Sequence, residues 1–366
     1  MAKKVLVAVS GGVDSTTTMV LLQRQGYEVA AAHMKLWDYE EVGGDNYRDG
    51  RCCSLEAIND LHSICNRYNI PFYVLDFTIR FRELVIENFI SEYRAGRTPN
   101  PCILCNTHLK WTELLNKARQ IGCDYIATGH YATIEYSPKF RRHVIRQGVD
   151  PGRDQSYALW GLSQDALAAT ILPLGRYRKN EVRNLARELK LKNAERPESR
   201  EICFVADDDY HRFLTEWEKQ RGREFKPGKI VKSGGEVIGE HKGIAFYTIG
   251  QRKGMGLAHP TPLYVNRLDP ETETVVVGGN EELYSSNMDI SDINWVALSE
   301  PFEPFKASVK IRYQHRAAPA GVTPVGPYSA RVVFDEAQRA ITPGQSAVFY
   351  DADIVLGGGL IQSSKK

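Results

Sequence analysis

Two cysteines three residues apart, Cys102 and Cys105, stand in the stretch RTPNPCILCN. A C-x-x-C pair can bind a metal ion, cycle between dithiol and disulfide, or supply a reactive thiolate. Structural zinc sites usually take four ligands, often as two close pairs. The other close pair, Cys52 and Cys53, consists of adjacent residues whose side chains diverge, which disfavours zinc. The spacing leaves a redox pair and a reaction centre open.

A second stretch suited to chemistry is SGGVDS, at residues 10–15. It follows the apolar run 3–9, which is typical of a buried parallel strand, and precedes a helix-like stretch. Glycines at such a junction let backbone N–H groups surround an anion at the helix N-terminus. The dinucleotide motif G-x-G-x-x-G and the Walker motif are both absent. The stretch is therefore an anion-binding loop of another type or a plain tight turn.

Alternating strands and helices must position these residues. Strands are predicted at 3–9, 27–36, 71–78 and 124–130, and helices at 15–26, 54–69, 81–96 and 107–122. Ser54 is a predicted N-cap, and Gly26 and Gly96 are predicted helix stops. Residues 37–53 and 97–106 are predicted loops. This alternation favours an α/β fold with a doubly wound parallel sheet.

The pattern of apolar residues in the sequence changes after about residue 205. Short alternating apolar stretches at 307–315, 328–336 and 345–359 are typical of a small β-barrel or sandwich. The predicted domains are a catalytic domain at 1–205, a small central β-rich domain at 206–280 and a C-terminal β-barrel at 281–366.

Composition excludes several classes of protein. The chain has 366 residues, a net charge of +2 and seven cysteines. No apolar run reaches the roughly 20 residues that span a membrane, and the N-terminus resembles neither a signal peptide nor a transit peptide. We expect a cytoplasmic protein with mostly reduced cysteines. The low net charge argues against a histone-like protein but allows local basic patches to bind nucleic acid.

The strand, the S-G-G-x-D-S loop and the helix together resemble the PP-loop ATP pyrophosphatases. The resemblance implies that ATP is cleaved between its α and β phosphates, that AMP passes to a substrate oxygen, and that Mg²⁺ offsets the phosphate charge. The residues that it assigns to ATP are Ala8, Val9, Ser10, Gly11, Gly12, Val13, Asp14, Ser15, Met34 and Gly129.

Further motifs narrow the resemblance to the bacterial tRNA-specific 2-thiouridylases, over essentially the whole chain. These motifs are GRTPNP, ATGHYA, GVDPGRDQSYAL, PLGRYRKNEVR, SREIC and FYTIGQRKGMGL. The family adenylates the C2 oxygen of the wobble uridine and replaces that oxygen with sulfur. The implied partners are tRNAs with anticodons of the Lys, Glu and Gln type and a sulfur-donor protein of a persulfide relay.

The resemblance gives the cysteines separate roles. Cys203 matches the persulfide-carrying residue, whose sulfur reaches C2 directly or as released sulfide. Cys105 matches the thiol that resolves the persulfide as a disulfide, which a reductant then reopens. Many family members have Asp in place of Cys102. With a cysteine there, Cys102, Cys105 and Cys203 could instead hold a [4Fe–4S] cluster; sulfur transfer without a cluster is the first hypothesis.

The same resemblance assigns contacts with the target base and the rest of the tRNA. Positive side chains suit phosphates, and Tyr or Arg can stack on a splayed base. The residues concerned are Asn100, Pro101, Cys102, Arg153, Asp154, Gln155, Arg312 and Tyr313. Two alternatives remain open: a PP-loop ligase that amidates a metabolite, and a tRNA-binding protein without catalytic activity.

Overall fold

The computed structural model describes residues 2–43, 55–196, 202–205, 207–301 and 303–365. The chain forms two compact units and passes between them more than once. The first unit comprises Met1–Val85, Cys102–Asp209 and Asp353–Val355. The second comprises Ile86–Pro101, Tyr210–Ala352 and Leu356–Lys366.

The first unit is built on a parallel sheet. Its strands in the described part of the chain are β1 (Lys4–Ala8), β2 (Glu28–Lys35), β3 (Phe72–Asp76), β4 (Tyr125–Ala127), β5 (Ala132–Ser137), β6 (Arg142–Gln147) and β7 (Thr170–Ile171). The parallel strands lie in the order β3-β2-β1-β4-β7. β5 and β6 pair antiparallel as a hairpin. The predicted parallel α/β fold is confirmed.

Helices cover this sheet, so its central strand is apolar on both faces. The helices described along the chain are α1 (Val13–Arg24), α2 (Tyr39–Val42), α3 (Leu55–Arg67), α4 (Thr78–Phe81), α5 (Glu87–Arg94), α6 (Pro101–Leu104), α7 (Leu115–Gln120), α8 (Gln164–Ala168), α9 (Lys179–Glu188) and α10 (Tyr210–Gln220). Val5 and Val7 of β1 have no exposed surface and pack in one core cluster with Met19 of α1 and Leu61 of α3.

Several predicted boundaries are confirmed. Gly26 and Gly96 follow α1 and α5 with φ angles of 90° and 65°, a conformation that glycine adopts without a steric penalty. The helix predicted at 81–96 is present, although Arg82–Ile86 has π-helical geometry. Ser54 lies outside the described residues. The predicted loop at 37–53 contains the short helix α2.

The prediction of a loop across 97–106 is wrong from Pro101 onward. Helix α6 begins at Pro101 and continues directly into the π-helical residues Cys105–Leu114. Proline is favoured in the first turn of a helix, where its missing N–H has no intrahelical partner to lose. Both prolines of TPNP are typical of a loop in the sequence, whereas the second begins a helix in the structure. The C-x-x-C pair therefore lies on a helix.

The second unit is mainly β-structure. Its strands are β8 (Gly228–Lys232), β9 (Val237–His241), β10 (Tyr264–Asp269), β11 (Thr274–Gly278), β12 (Tyr284–Trp295), β13 (Phe305–Lys310), β14 (Ala318–Gly326), β15 (Ser329–Arg339), β16 (Ser346–Asp351) and β17 (Ile354–Lys365). β8 to β11 form one small sheet. Among the described residues, β12 to β17 close into a six-stranded barrel through pairing of β12 with β17. The predicted C-terminal β-barrel is confirmed.

Two details of the second unit differ from expectation. The region predicted to be β-rich from residue 206 begins with α10, whose Phe213 and Trp217 are almost fully buried. The predicted strand over 307–315 ends at Lys310, so Arg312 and Tyr313 follow the strand. In the described ranges, every helix is too short or too polar to cross a lipid bilayer.

Candidate functional site

The glycine loop closes around the start of α1. Gly11 has a φ of 83°, which favours glycine, and α1 begins two residues later. The Ser10 N–H donates to Ser15 Oγ at 3.1 Å, and the Ser15 hydroxyl donates to the Gly12 carbonyl at 3.1 Å. The backbone thus turns sharply at a helix N-terminus, where N–H groups and the helix dipole favour an anion.

Gly129 lies directly against this loop. It follows β4, and a Cβ atom at this position would lie 2.9 Å from both Asp14 C and Ser15 N. Such a contact is with backbone, which cannot move aside as a flexible side chain can. A glycine is therefore required here, and the structure brings Gly129, a predicted ATP contact, together with the loop. Met34, the other predicted adenosine neighbour, is buried near the end of β2.

Asp14 is held by two side chains from distant parts of the chain. The Lys179 ammonium donates to both carboxylate oxygens at 2.8 Å, and the Tyr131 hydroxyl donates to one of them at 2.8 Å. The Asn193 amide donates to the Gly11 carbonyl at 2.9 Å and so fixes the other end of the loop. These contacts place a largely buried positive charge and a fixed carboxylate beside the backbone of the glycine loop.

The three candidate cysteines all belong to the first unit, and each carries a thiol group rather than a disulfide. Cys102 is exposed in the first turn of α6, Cys105 is 9% exposed at the start of the π-helical stretch, and Cys203 is half-buried. Phe204, next to Cys203, is buried with its ring 5.6 Å from that of Phe81. This packing anchors the chain immediately after Cys203.

Lys110 places a positive charge near the C-x-x-C pair. A π-helix bonds residues five apart, so Cys105 and Lys110 lie on one face. The Lys110 ammonium donates to Asn106 Oδ1 at 2.9 Å, and the buried Asn106 amide donates to the Ala158 carbonyl at 2.9 Å. Burial raises the pKa of the Cys105 thiol, and the Lys110 charge opposes that rise. Burial by surrounding protein also raises the pKa of Cys102, although its exposed surface limits this effect.

His130 completes the polar surroundings of this helix. Its Nδ1 lies 2.7 Å from the Thr128 hydroxyl, and its ring centroid lies 5.4 Å from that of Trp111. Burial holds the pKa of His130 well below its usual range, and the Lys110 charge lowers it further. The imidazole is therefore neutral at pH 7.

The cysteines do not fit a [4Fe–4S] cluster as they are arranged. Within the described residues, which include Cys102, Cys105 and Cys203, no three His, Cys, Asp or Glu side chains are grouped closely enough to hold a metal ion. Cluster ligation needs several thiolates converging on one centre. In the described part of the chain, the three thiols therefore do not converge on one such centre.

The predicted tRNA-contact loop is tied into the first unit. Asp154 is buried and accepts hydrogen bonds from Gly148 N at 3.1 Å and from the Ser156 hydroxyl at 2.9 Å. Gln155 exchanges two 2.9 Å hydrogen bonds with the backbone of Tyr131. Arg153 is half-buried beside them. Asp154 and Gln155 thus shape the loop, and Gln155 links it to the tyrosine that holds Asp14.

The remaining predicted contacts belong to the second unit. Asn100 and Pro101 precede the C-x-x-C pair, and Arg312 and Tyr313 follow β13. Arg312 donates to the Arg339 carbonyl at 3.1 Å. Tyr313 is 39% exposed, and Lys310 Nζ lies 5.7 Å from its ring centroid. This arrangement offers an aromatic face beside positive charge, which suits a stacked base and a phosphate.

Comparison with known proteins gives full-length matches. The model of the tRNA methyl transferase HUP domain matches residues 3–207, that of the tRNA methyl transferase PRC-barrel domain 219–279, and that of the aminomethyltransferase beta-barrel domain 285–361. A curated relative from Clostridioides difficile, named tRNA-specific 2-thiouridylase MnmA, is 46% identical over 100% of this chain and 99% of its own length. A relative of the same name from Carboxydothermus hydrogenoformans is 49% identical over 98% of each chain. The chain belongs to the tRNA-specific 2-thiouridylase family.

Two solved structures that are similar to this member of the 2-thiouridylase family have low sequence identity to it. A 4-thiouridine synthetase in complex with RNA and ATP is 15% identical, with a TM-score of 0.34 over 56% of this chain and 45% of that one. NMN synthetase from Francisella tularensis is 14% identical, with a TM-score of 0.33 over 61% of this chain and 79% of that one.

Sequence reasoning missed several residues of this 2-thiouridylase site. Tyr131, Lys179 and Asn193 hold the glycine loop, and Lys110 and Asn106 organise the helix of the cysteines. Tyr131 and Lys179 stand inside the quoted motifs ATGHYA and PLGRYRKNEVR. Those motifs were therefore the available signal, although a match alone does not say which neighbour each side chain contacts.

Proposed function

We propose that the chain is an enzyme that uses ATP to replace the C2 oxygen of the wobble uridine of tRNA with sulfur. The observation that carries this proposal is the glycine loop at the start of α1, braced by Lys179 on Asp14, in the same unit as the three candidate cysteines. The 2-thiouridylase names of full-length relatives support the choice of tRNA as substrate.

ATP would bind with its phosphates at the glycine loop. Backbone N–H groups of residues 10–15 would face the pyrophosphate, and the Lys179 charge would offset part of the negative charge that develops there. Gly129 and Met34 would flank the adenosine at the ends of parallel strands. Mg²⁺ would be carried mainly by the phosphates themselves, as is usual when few carboxylates are available.

Sulfur transfer would then proceed in balanced steps. The uridine C2 oxygen attacks the α-phosphorus, and pyrophosphate leaves. The terminal sulfur of a Cys203 persulfide attacks C2, and AMP leaves with the electron pair of the C–O bond. The Cys105 thiolate attacks Cys203 Sγ, which breaks the S–S bond and leaves sulfur on C2. The resulting Cys105–Cys203 disulfide is reopened by two electrons from a thiol reductant.

The finer parts of the proposal concern partners and organisation. The substrates would be tRNAs with anticodons of the Lys, Glu and Gln type, and a persulfide-relay protein would recharge Cys203. Asn100, Pro101 and Cys102 would contact the target base, and Arg153, Asp154, Gln155, Arg312 and Tyr313 the rest of the tRNA. The domains would span 1–205, 206–280 and 281–366. We place the reaction in the cytoplasm, where reductants keep thiols free.

One experiment tests the reaction and the roles of the thiols together. Purified enzyme is incubated with a tRNA transcript, ATP and a persulfide donor, and 2-thiouridine and AMP are quantified. We expect ATP-dependent 2-thiouridine from the wild type, none from Cys203→Ala or Cys105→Ala, and nearly normal amounts from Cys65→Ala, a buried thiol remote in sequence. Thiolation by Cys203→Ala at the wild-type rate would contradict the persulfide mechanism. AMP release with a metabolite and ammonia, but none with tRNA, would favour an amidating ligase instead.

A further inference from the structure

The segment Arg97–Pro101 leads into the C-x-x-C helix, and under the proposed function its last two residues contact the target base. Its sequence, RTPNP, contains two prolines, which have no backbone N–H. The segment therefore has few donors of its own with which to fix its conformation. Its backbone carbonyls need donors from elsewhere if the base-contacting residues are to keep one position.

A turn of the C-terminal barrel supplies those donors within the same unit. The Gln345 side-chain amide donates to the Thr98 carbonyl at 3.0 Å and to the Pro99 carbonyl at 3.3 Å. The Thr98 N–H in turn donates to the Pro343 carbonyl at 2.9 Å. Three hydrogen bonds thus join two successive residues of the segment to one turn.

Gly344 allows this close approach. Its φ is 88°, and a Cβ atom there would lie 2.9 Å from both the N and the O atoms of Thr98. The turn is itself rigid, because Gly344 N donates to the Ile361 carbonyl at 2.9 Å and Ile361 N donates to the Gln345 carbonyl at 2.8 Å. Gln345 therefore presents its amide from a fixed backbone.

Arg97 adds a second attachment to the barrel. Its Nε pairs with Glu92 at 2.7 Å, and its other guanidinium nitrogen donates to Gln362 of β17 at 2.9 Å. All three residues are partly buried. The segment is consequently held at its first residue by β17 and at its middle by the turn that precedes β16.

We propose that Gln345 is a positioning residue for the target base: its amide fixes the Thr98 and Pro99 carbonyls and so sets where Asn100 and Pro101 meet the uridine. The inference deepens the proposed function and rests on it. The barrel would then serve catalysis through the segment that it holds, in addition to any contact of its own with tRNA.

The test uses Gln345→Glu in the full chain. Glutamate has nearly the same size but cannot donate, and it places a carboxylate against two carbonyl oxygens. We expect hydrogen exchange at the Thr98 amide, which donates to the Pro343 carbonyl, to become about tenfold faster, because the donors that hold the Thr98 and Pro99 carbonyls are lost. We expect kcat/KM for tRNA thiolation to fall about tenfold, whereas KM for ATP stays within about twofold.

Controls separate positioning from general destabilisation. Gln345→Ala removes the donors without adding charge. It should likewise lower kcat/KM for tRNA thiolation while leaving KM for ATP nearly unchanged. Gln220→Ala, at the exposed end of α10, should match the wild type. Unchanged hydrogen exchange together with normal tRNA thiolation in both Gln345 variants would overturn the proposal. A KM for ATP that worsens as much as kcat/KM for tRNA thiolation would overturn it as well. If the wild type makes no thiouridine, the proposed function is wrong, and so is the role of Gln345 in positioning the target base. Hydrogen exchange at the Thr98 amide then still shows whether Gln345 fixes the segment.

Discussion

The Lys110 ammonium acts on three titratable side chains of the candidate site: Cys102, Cys105 and His130. It favours the thiolate form of each cysteine and the neutral form of the histidine. A thiolate is needed to resolve a persulfide, and burial works against it. At the scale of single residues, Lys110 thus compensates for the burial that shields Cys105 from solvent.

Removing this charge should move the reactivity of Cys105 to higher pH. In Lys110→Met the pKa of Cys105 should rise further, because burial then acts unopposed. Alkylation of Cys105 by iodoacetamide, followed by peptide mass spectrometry between pH 7 and 10, should be slower than in the wild type at each pH below the new pKa. Lys117→Met, an exposed lysine of α7, is the matched control. Equal profiles for Lys110→Met and the wild type would refute this role.

The raised pKa of the buried Cys105 thiol also affects the stability of the folded protein. The folded state holds the Cys105 proton more tightly than the unfolded state, whose pKa is about 8.5. This contribution to stability is complete below that value and is lost as the pH rises through the folded pKa. Cys65, whose pKa burial raises to about 11, contributes in the same direction.

At the scale of elements, local patterns predicted the glycine loop but not what holds it. The order strand, glycines, helix is visible in the 21 consecutive residues from Lys4 to Arg24 and needs no distant partner. The neighbours of Asp14 are Tyr131 and Lys179, which stand 117 and 165 positions away. A local sequence pattern cannot indicate a contact between residues so far apart in the chain. The start of α6 at Pro101 was missed for a different reason, since proline is favoured both in loops and in first helical turns.

Gly129→Ala should damage the glycine loop through a purely steric effect. The added methyl group would lie 2.9 Å from the backbone of Asp14 and Ser15, so the start of α1 must shift. We expect KM for ATP to rise about tenfold or more and the free energy of unfolding to fall by about 1–3 kcal/mol. Nucleotide titration and urea unfolding measure the two effects. Gly234→Ala, whose Cβ would meet nothing within 4 Å, should change neither.

At the scale of the whole molecule, both units combine apolar packing with a buried carboxylate. The first has a parallel sheet buried under helices with an apolar cluster, and the carboxylate of Asp154 is buried in the same unit. The second places a charge inside: Glu218 of α10 has a side chain only 1% exposed and pairs with Arg94 and Arg223. Arg94 is the last residue of α5, and Arg223 lies just after α10. The Glu218 carboxylate therefore joins the end of α5 to the region of α10, which is distant in sequence.

Neutralising that carboxylate should loosen α10. Glu218→Gln leaves a side chain of the same size but weakens two charge-assisted hydrogen bonds, at a cost of about 1–3 kcal/mol. Hydrogen exchange in peptides covering α10 should accelerate accordingly. Glu216→Gln, on the same helix, removes an exposed pair with Arg212 and should alter exchange little, because such pairs contribute under about 1 kcal/mol. Similar exchange in the two variants would contradict the assigned importance of Glu218.

The discontinuity of the two units bears on how such a protein can be divided or inherited. The chain changes unit after Val85, Pro101, Asp209, Ala352 and Val355. A gene fragment that ends at codon 205 would encode α5 and the RTPNP segment without the barrel turn that holds them. Recombination between relatives at that point would pair a segment from one parent with a turn from the other. We expect functional chimaeras to take residues 86–101 and 343–345 from the same parent. These two separated stretches would then be inherited together.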